Sequence, residues 1–205
     1  MYKFVSYRHL SLPIATGLLA LLISACSSIA PPAGSNDNWN RHSRQLQALD
    51  HWQLRGRVNV RYYDENHTPR IQWQQMGEQY HIRLWGTFNA GNTEIEGRPG
   101  RVVMEQDGEV LRAESPEDLI LQQLGYELPV SYLEYWIKGL PAPEGEADLQ
   151  FDELNQLLAI NQQGWTVQYS DMRQYGEVAL PRRVEVFRLN DEVRLRFVGL
   201  DWTLD

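Results

Sequence analysis

The sequence predicts a mainly β chain: a curved antiparallel sheet interrupted once by a pair of helices. Three observations predict it. Apolar and polar residues alternate without a break from Trp52 to Tyr62, the period of a half-buried strand. Shorter alternating runs come next at close intervals, with Asp107-Gly108 as the clearest tight-turn signal between two of them. The period then changes to that of a helix after residue 115 and returns to two beyond residue 145.

Composition fits one globular domain. The chain has 205 residues, 42% of them apolar and 22% charged, which is ordinary for a folded protein and excludes a disordered one. Its formal net charge of −8 argues against a general nucleic-acid binder, which would carry a basic stripe. A single cysteine leaves no internal disulfide and no Cys-rich zinc site. The 7 Trp and 10 Tyr supply large rings suited to strands or to an apolar binding wall.

Residues 1–25 read as an address to be removed. Lys3 and Arg8 make a positive start, and Ile14 to Ile23 is apolar but too short to span a bilayer, which takes about 20 residues. The only cysteine closes Leu22-Ile23-Ser24-Ala25-Cys26, which resembles a bacterial lipobox. That resemblance implies cleavage before Cys26, acylation of it, and stable anchoring by several chains. Ser27, where an Asp would signal inner-membrane retention, points to the outer membrane. Residues 26–38 are small, polar and rich in Pro and Gly, an acylated cysteine and its flexible tether. Residues 39–205 remain as a single domain.

Within that domain Trp39 to Leu49 reads as a short helix. The next strand carries Trp52, Leu54, Gly56, Val58, Val60 and Tyr62 on one face, and Gly56 marks a bend or a close approach. Arg70 to Met76, Tyr80 to Trp85, Thr93 to Gly97, Arg101 to Gln106 and Glu109 to Ala113 continue a meander. Ser115-Pro116-Glu117-Asp118 has the form of a helix start, with Gly125 as its stop. Ser131 to Lys138 is a second helix, where Leu133, Trp136, Ile137 and Leu140 form one apolar stripe. Strands resume at Leu154 to Ile160 and at Trp165 to Tyr169. Arg183 to Leu189 and Glu192 to Val198 form a hairpin around Asn190-Asp191, and Trp202 lies near the end. The sum is roughly ten strands around a two-helix insert packed over the mouth of the sheet.

The residues that carry chemistry do not assemble into a catalytic pattern, and the reading is of no enzyme, cofactor or metal. There is no Gly-x-Ser-x-Gly elbow and no phosphate loop. The histidines show no paired ligand spacing. Glu94 and Glu96 share a strand face and could imitate a glycosidase pair, but a solvated face explains them. The aromatic residues fit either a well-filled β core or an apolar cavity, and the apolar stripe of the insert, placed as a lid, favours the cavity.

A series of short motifs runs along nearly the whole chain. It starts with the lipobox at Cys26, Trp52-Gln-Leu-Arg-Gly-Arg-Val58, Trp73-Gln-Gln, Tyr80 to Leu84 and Gly91-Asn-Thr-Glu-Ile-Glu96. Pro116-Glu-Asp-Leu119, Tyr135-Trp-Ile-Lys-Gly-Leu-Pro141, Gln163-Gly-Trp-Thr-Val167 and Leu180-Pro-Arg182 continue it in order. In these landmarks the chain resembles the LolB family. The resemblance implies an unclosed β-barrel with a helical lid over an apolar cavity. It also implies a monomer on the periplasmic face of the outer membrane that accepts lipoproteins, by their acyl chains, from the carrier LolA and passes them to the membrane. The other readings are a structural outer-membrane lipoprotein and an apolar-ligand module with no transfer role. Trp52, Tyr62, Trp73, Ile82, Leu84, Leu133, Trp136, Ile137, Val167 and Trp202 are the candidates for core and cavity lining. In the loop Gly86 to Gly91 the family carries a protruding apolar residue, typically Leu, before the Thr-Glu pair. Its ungapped equivalent here is Ala90, while the large apolar side chain is Phe88; these two are the candidates for membrane insertion.

Overall fold

The long alternating run forms β1, His51–Tyr62, in a computed structural model that describes residues 34–86, 92–125, 128–188 and 193–205. From there the chain builds β2 (Glu65–His67), β3 (Arg70–Met76), β4 (Gln79–Trp85), β5 (Thr93–Arg98), β6 (Arg101–Gln106) and β7 (Glu109–Ala113). After the helical insert come β8 (Ala147–Phe151), β9 (Leu157–Gln162), β10 (Trp165–Tyr175), β11 (Val178–Arg188) and β12 (Arg194–Leu204). They make one 12-stranded sheet in the order β7-β6-β5-β4-β3-β1-β12-β11-β10-β9-β8, with β2 as a flap on β1. The strand pairs are antiparallel. The path ends at β7 and β8, and no pairing joins those two edges among the described residues. The sheet is therefore an open barrel.

β1 and β12, the first and last long strands, pair along most of their length with one break between Arg55 and Arg57. There Gly199 and Leu200 stand opposite the single Gly56, and Gly199 takes a φ of 63°, a bulge that sharpens the bend of the barrel. A Cβ on Gly56 would lie 2.8 Å from Leu200 Cδ2 and 3.0 Å from the Val198 carbonyl oxygen. The glycine expected to mark a bend is needed for this approach of two strands.

The insert has two halves of different character. α2, Pro116–Leu124, starts as its sequence prescribes: Ser115 Oγ accepts from the Asp118 N–H at 3.1 Å, and Gly125 closes it with a φ of 67°. Glu117 Oε1 accepts from the Ser131 N–H at 2.7 Å, tying α2 to the second half of the insert. The expected second helix is only a 3₁₀ turn at Val130–Tyr132 running into α3, Leu133–Trp136. Pro129 before it and Gly139, at a φ of 90°, after it leave room for little more. The stripe nevertheless holds, since Leu133, Trp136, Ile137 and Leu140 are all buried.

Buried polar side chains fasten this second half. Gln162 Oε1 on β9 accepts from Trp136 Nε1 and the Ala142 N–H, both at 2.9 Å, and its Nε2 donates to the carbonyls of Ala142 and Glu144. Tyr169 Oη donates to the Trp136 carbonyl at 2.9 Å, and Lys138 Nζ to the Leu49 carbonyl at 3.0 Å. Satisfied networks of this kind fix one arrangement of a core.

Several boundaries differ from the sequence reading. α1 spans Gly34–Gln47 and takes in the end of the stretch read as tether, because its first turns carry no apolar period. β9 starts at Leu157 and not Leu154. Asp152 Oδ1 accepts from the N–H groups of Leu154 and Gln156, a local turn that overrides the apolar run and leaves Leu154 77% exposed. β8 is an edge strand whose alternating run, Ala147, Leu149 and Phe151, spans only five residues beside a loop rich in Pro and Gly. β10 and β11 run on to Tyr175 and from Val178, where polar Ser170 to Gln174 and Pro181 hide the pattern.

Gly56→Ala should cost about 1–3 kcal/mol through overpacking against Leu200 and the Val198 carbonyl. Urea unfolding monitored by Trp fluorescence measures it. An unchanged midpoint would show that β12 moves aside freely.

Candidate functional site

The inner face of the sheet is largely apolar, with Gln75, Thr93 and Gln162 as its buried polar residues, but only part of it is filled. At the β9–β12 side and along the first half of β1 the interior is solid. Trp52 stands between Trp73 and Trp202, with ring centroids 5.3 Å apart in both pairs. Trp202 Nε1 donates to the Pro181 carbonyl at 2.9 Å. Trp136, Ile137 and Val167 are packed in the same core at 0%, 1% and 0% exposure.

Under α2 and the 3₁₀ turn the packing stops. A cavity of about 500 Å³ lies between the inner face of the sheet and the insert, within the roughly 300–1,000 Å³ of ordinary ligand pockets. Its wall includes Val60, Ile71, Trp73, Ile82, Leu84 and Ile95, and its roof Ile120, Leu128, Val130, Leu133 and Tyr135. Many of these inward-facing residues are only half-buried. In a filled core such positions would be closed, so their exposure is that of a wall. A separate hollow, beside Gln74, His81, Glu96 and Arg98, is polar.

Of the residues singled out in the sequence, Trp73, Ile82, Leu84 and Leu133 meet around this cavity. Trp52, Trp136, Ile137, Val167 and Trp202 belong to the solid core. Tyr62 packs edge-on against Tyr63 at the end of β1, outside the lining. Cys26, Phe88 and Ala90 lie outside the described residues. Glu94 is on the outer face, 3.2 Å from Arg83 Nε, and Glu96, opposite His81 on β4, shares that face. The described residues hold no cluster of His, Cys, Asp and Glu able to bind a metal ion.

The charged residues that line the cavity are Glu78, Arg98 and Glu114, which are exposed, and Glu117 and Glu134, which are half-buried. Burial pushes the Glu134 carboxyl up, partly opposed by Lys138. Burial pushes the Lys138 ammonium down, partly opposed by Glu134 and Asp50. Lys138 lies 5.9 Å from the Trp52 ring centroid and 5.8 Å from that of Tyr135, so cation–π contact supplements its single carbonyl acceptor. Sequence reasoning passed over Lys138 and Gln162. Their polar type at otherwise apolar stretches was the available signal.

An open antiparallel barrel thus encloses an apolar cavity beneath a helical roof. The sequence profile described as outer membrane lipoprotein LolB matches residues 50–202. The chain is 37% identical over 211 residues to the outer-membrane lipoprotein LolB of Chromohalobacter salexigens, covering 98% of each chain. It is 34% identical over 190 residues to that of Stutzerimonas stutzeri, covering 90% of this chain and 91% of the relative. Among solved structures, a LolA superfamily protein from Nitrosomonas europaea superposes with a TM-score of 0.51 at 9% identity, covering 82% of this chain and 91% of the other, which shows the shared fold. The chain belongs to the LolB family.

Core and wall residues should respond differently to substitution. Trp202→Ala should cost ~3–5 kcal/mol, as for other buried aromatics. Leu84→Asn should leave the melting temperature within a few degrees of wild type and weaken binding of an apolar fluorescent dye about tenfold or more. Thermal unfolding and dye titration on both variants check this; equal effects on stability would argue against a hollow interior.

Proposed function

We propose that this protein accepts lipoproteins from the periplasmic carrier LolA and incorporates them into the outer membrane, holding their acyl chains in the cavity under the helices. The observation that carries the reading is the apolar cavity itself. A structural lipoprotein needs only a solid interior, and an enzyme needs titratable groups converging inside. Here the charged residues in the lining are exposed or half-buried. Family membership supports the role in lipoprotein localisation.

In this reading residues 1–25 are the signal, Cys26 carries the anchor, and the β-barrel domain does the transfer by binding alone. An apolar wall suits that task because it binds by area and without directed bonds. Transfer needs only a downhill series of sites, and each tenfold bias corresponds to about 1.4 kcal/mol. Phe88, with Ala90 beside it, is the group that enters the bilayer. The flanks of its loop support this: Leu84 and Thr93 pair at the end of β4 and β5, and Leu84 lines the cavity. Burial of a Phe contributes ~1.5–3 kcal/mol, enough to bias an encounter and too little to anchor a protein.

A soluble Cys26→Ala form expressed without its signal should accept a labelled lipoprotein from LolA in solution as the anchored protein does. Loss of acceptance by a folded variant would overturn the division between anchor and transfer domain. Phe88→Glu should accept normally and deliver poorly into liposomes. Delivery equal to wild type would sink the Phe88 assignment and move the test to Ala90.

A further inference from the structure

Tyr80 is the polar exception in the apolar wall. It faces inward from β4 with Ile82 and Leu84, and it packs against both apolar clusters, the main core and the smaller one around Val102, Met104 and Leu119. Across the ladder its partner on β5 is Gly97. A Cβ there would lie 2.0 Å from Tyr80 Cζ, so the missing side chain is what lets the phenol lie across β5. The hydroxyl is buried and has no hydrogen-bond partner among the described residues. Two other buried side-chain atoms share that condition, Trp52 Nε1 and His81 Nε2. Trp52 is enclosed by Trp73 and Trp202, and His81 stands on the outer face 3.7 Å from Glu94. Of the three residues, only Tyr80 belongs to the lining of the apolar cavity, and it also borders the polar hollow beside His81 and Gly97.

A hydroxyl taken out of water without a partner is unfavourable, and native proteins keep few of them. Burial, reinforced by the Glu117 and Glu134 carboxylates, pushes the Tyr80 phenol up to about 12. It therefore remains an O–H donor across the physiological range. Glu117 is already engaged by the Ser131 N–H.

We propose that the Tyr80 hydroxyl donates a hydrogen bond to an acyl carbonyl, ester or amide, at the head of a fatty chain lying in the cavity. This rests on the cavity being the acyl-chain site. A hydrocarbon chain offers the wall nothing directional, yet every acyl chain is joined to its carrier through a carbonyl acceptor. One donor in a greasy wall sets how deep the chain lies and favours acylated ligands over plain hydrocarbon.

The test compares wild type and Tyr80→Phe by displacement of N-phenyl-1-naphthylamine. The competitors are dodecane, ethyl decanoate, a triacylated cysteine peptide and a short-chain phosphatidylethanolamine. Tyr80→Phe should bind dodecane as wild type does and ethyl decanoate roughly fivefold more weakly, the loss of one neutral hydrogen bond. Where ethyl decanoate is weakened, loss for the peptide but not for the phosphatidylethanolamine assigns the carbonyl to a lipoprotein, and loss for both lipids assigns it to acyl esters at large. The ligand-free variant should melt at or above the wild-type temperature, because no internal hydrogen bond is lost. A lower melting temperature would show that the hydroxyl already has a partner, and equal affinity of both proteins for ethyl decanoate would show that it finds none in the ligand; either result overturns the proposal. Failure of every competitor to displace the dye from wild type would instead overturn the acyl-site reading beneath it.

Discussion

The break in pairing between β1 and β12 governs the interior. Antiparallel side chains keep their face only while the register holds. With two residues of β12 opposite Gly56, the strand bends and its inward set changes from Trp202 and Leu200 to Phe197 and Leu195. On one side of this point Trp52, Leu54, Leu200 and Trp202 are packed solid. On the other, Val58, Val60, Leu195 and Phe197 line the cavity. A Cβ on Gly56 would lie 2.8 Å from Leu200 Cδ2 and 3.0 Å from the Val198 carbonyl oxygen, so the bulge leaves no room for a side chain there. A single glycine thus stands at the border between packed and hollow halves.

The insert divides in the same way. Its second half is held by buried polar bonds from Gln162, Tyr169 and Lys138, each costly to leave unmade inside a core. Its first half, α2, meets the sheet through Leu119 on Val102 and Met104 and is joined to the second by the Glu117–Ser131 bond. Apolar contact is non-directional and can be exchanged for contact with a chain, whereas the Gln162 network cannot. Both halves contribute to the cavity roof, Ile120 from the first and Val130, Leu133 and Tyr135 from the second, but only the second is fixed by buried polar bonds.

Much of the fold was legible. The period-two runs placed β1 and β3 to β7 within a residue or two, and the Asp107-Gly108 turn falls between Gln106 and Glu109 as expected, with both turn residues at positive φ. Ser115 and Gly125 bounded α2 through local hydrogen bonds that composition alone encodes. The edge strand β8 was not legible because an edge buries little, and Leu154 misled because turn chemistry at Asp152 outweighed its apolar character. Within the site, alternation told which residues point inward and could not tell wall from core. Trp52 and Trp73 share a face by the same rule, yet one is enclosed by rings and the other borders the hollow. That difference depends on what stands across the barrel, which no local pattern records.

The position of the hollow half bears on how a ligand would leave it. Trp85 pairs with Arg70, and Arg70 with Arg57, so β4 runs out toward the same end of the sheet as the later residues of β1. β4 ends and β5 begins at that hollow end, while α1 joins β1 at His51, beside the packed end. A chain moving out past Leu84 would cross apolar wall up to the end of β4 and would meet no charged residue on the inward face of β4. Hydrophobic transfer along such a surface keeps the apolar area covered at each step, so no stage has to expose a whole fatty chain to water at about 0.8 kcal/mol per methylene. In the proposed role, a continuous slide into an adjoining apolar phase would therefore cost less than release and recapture.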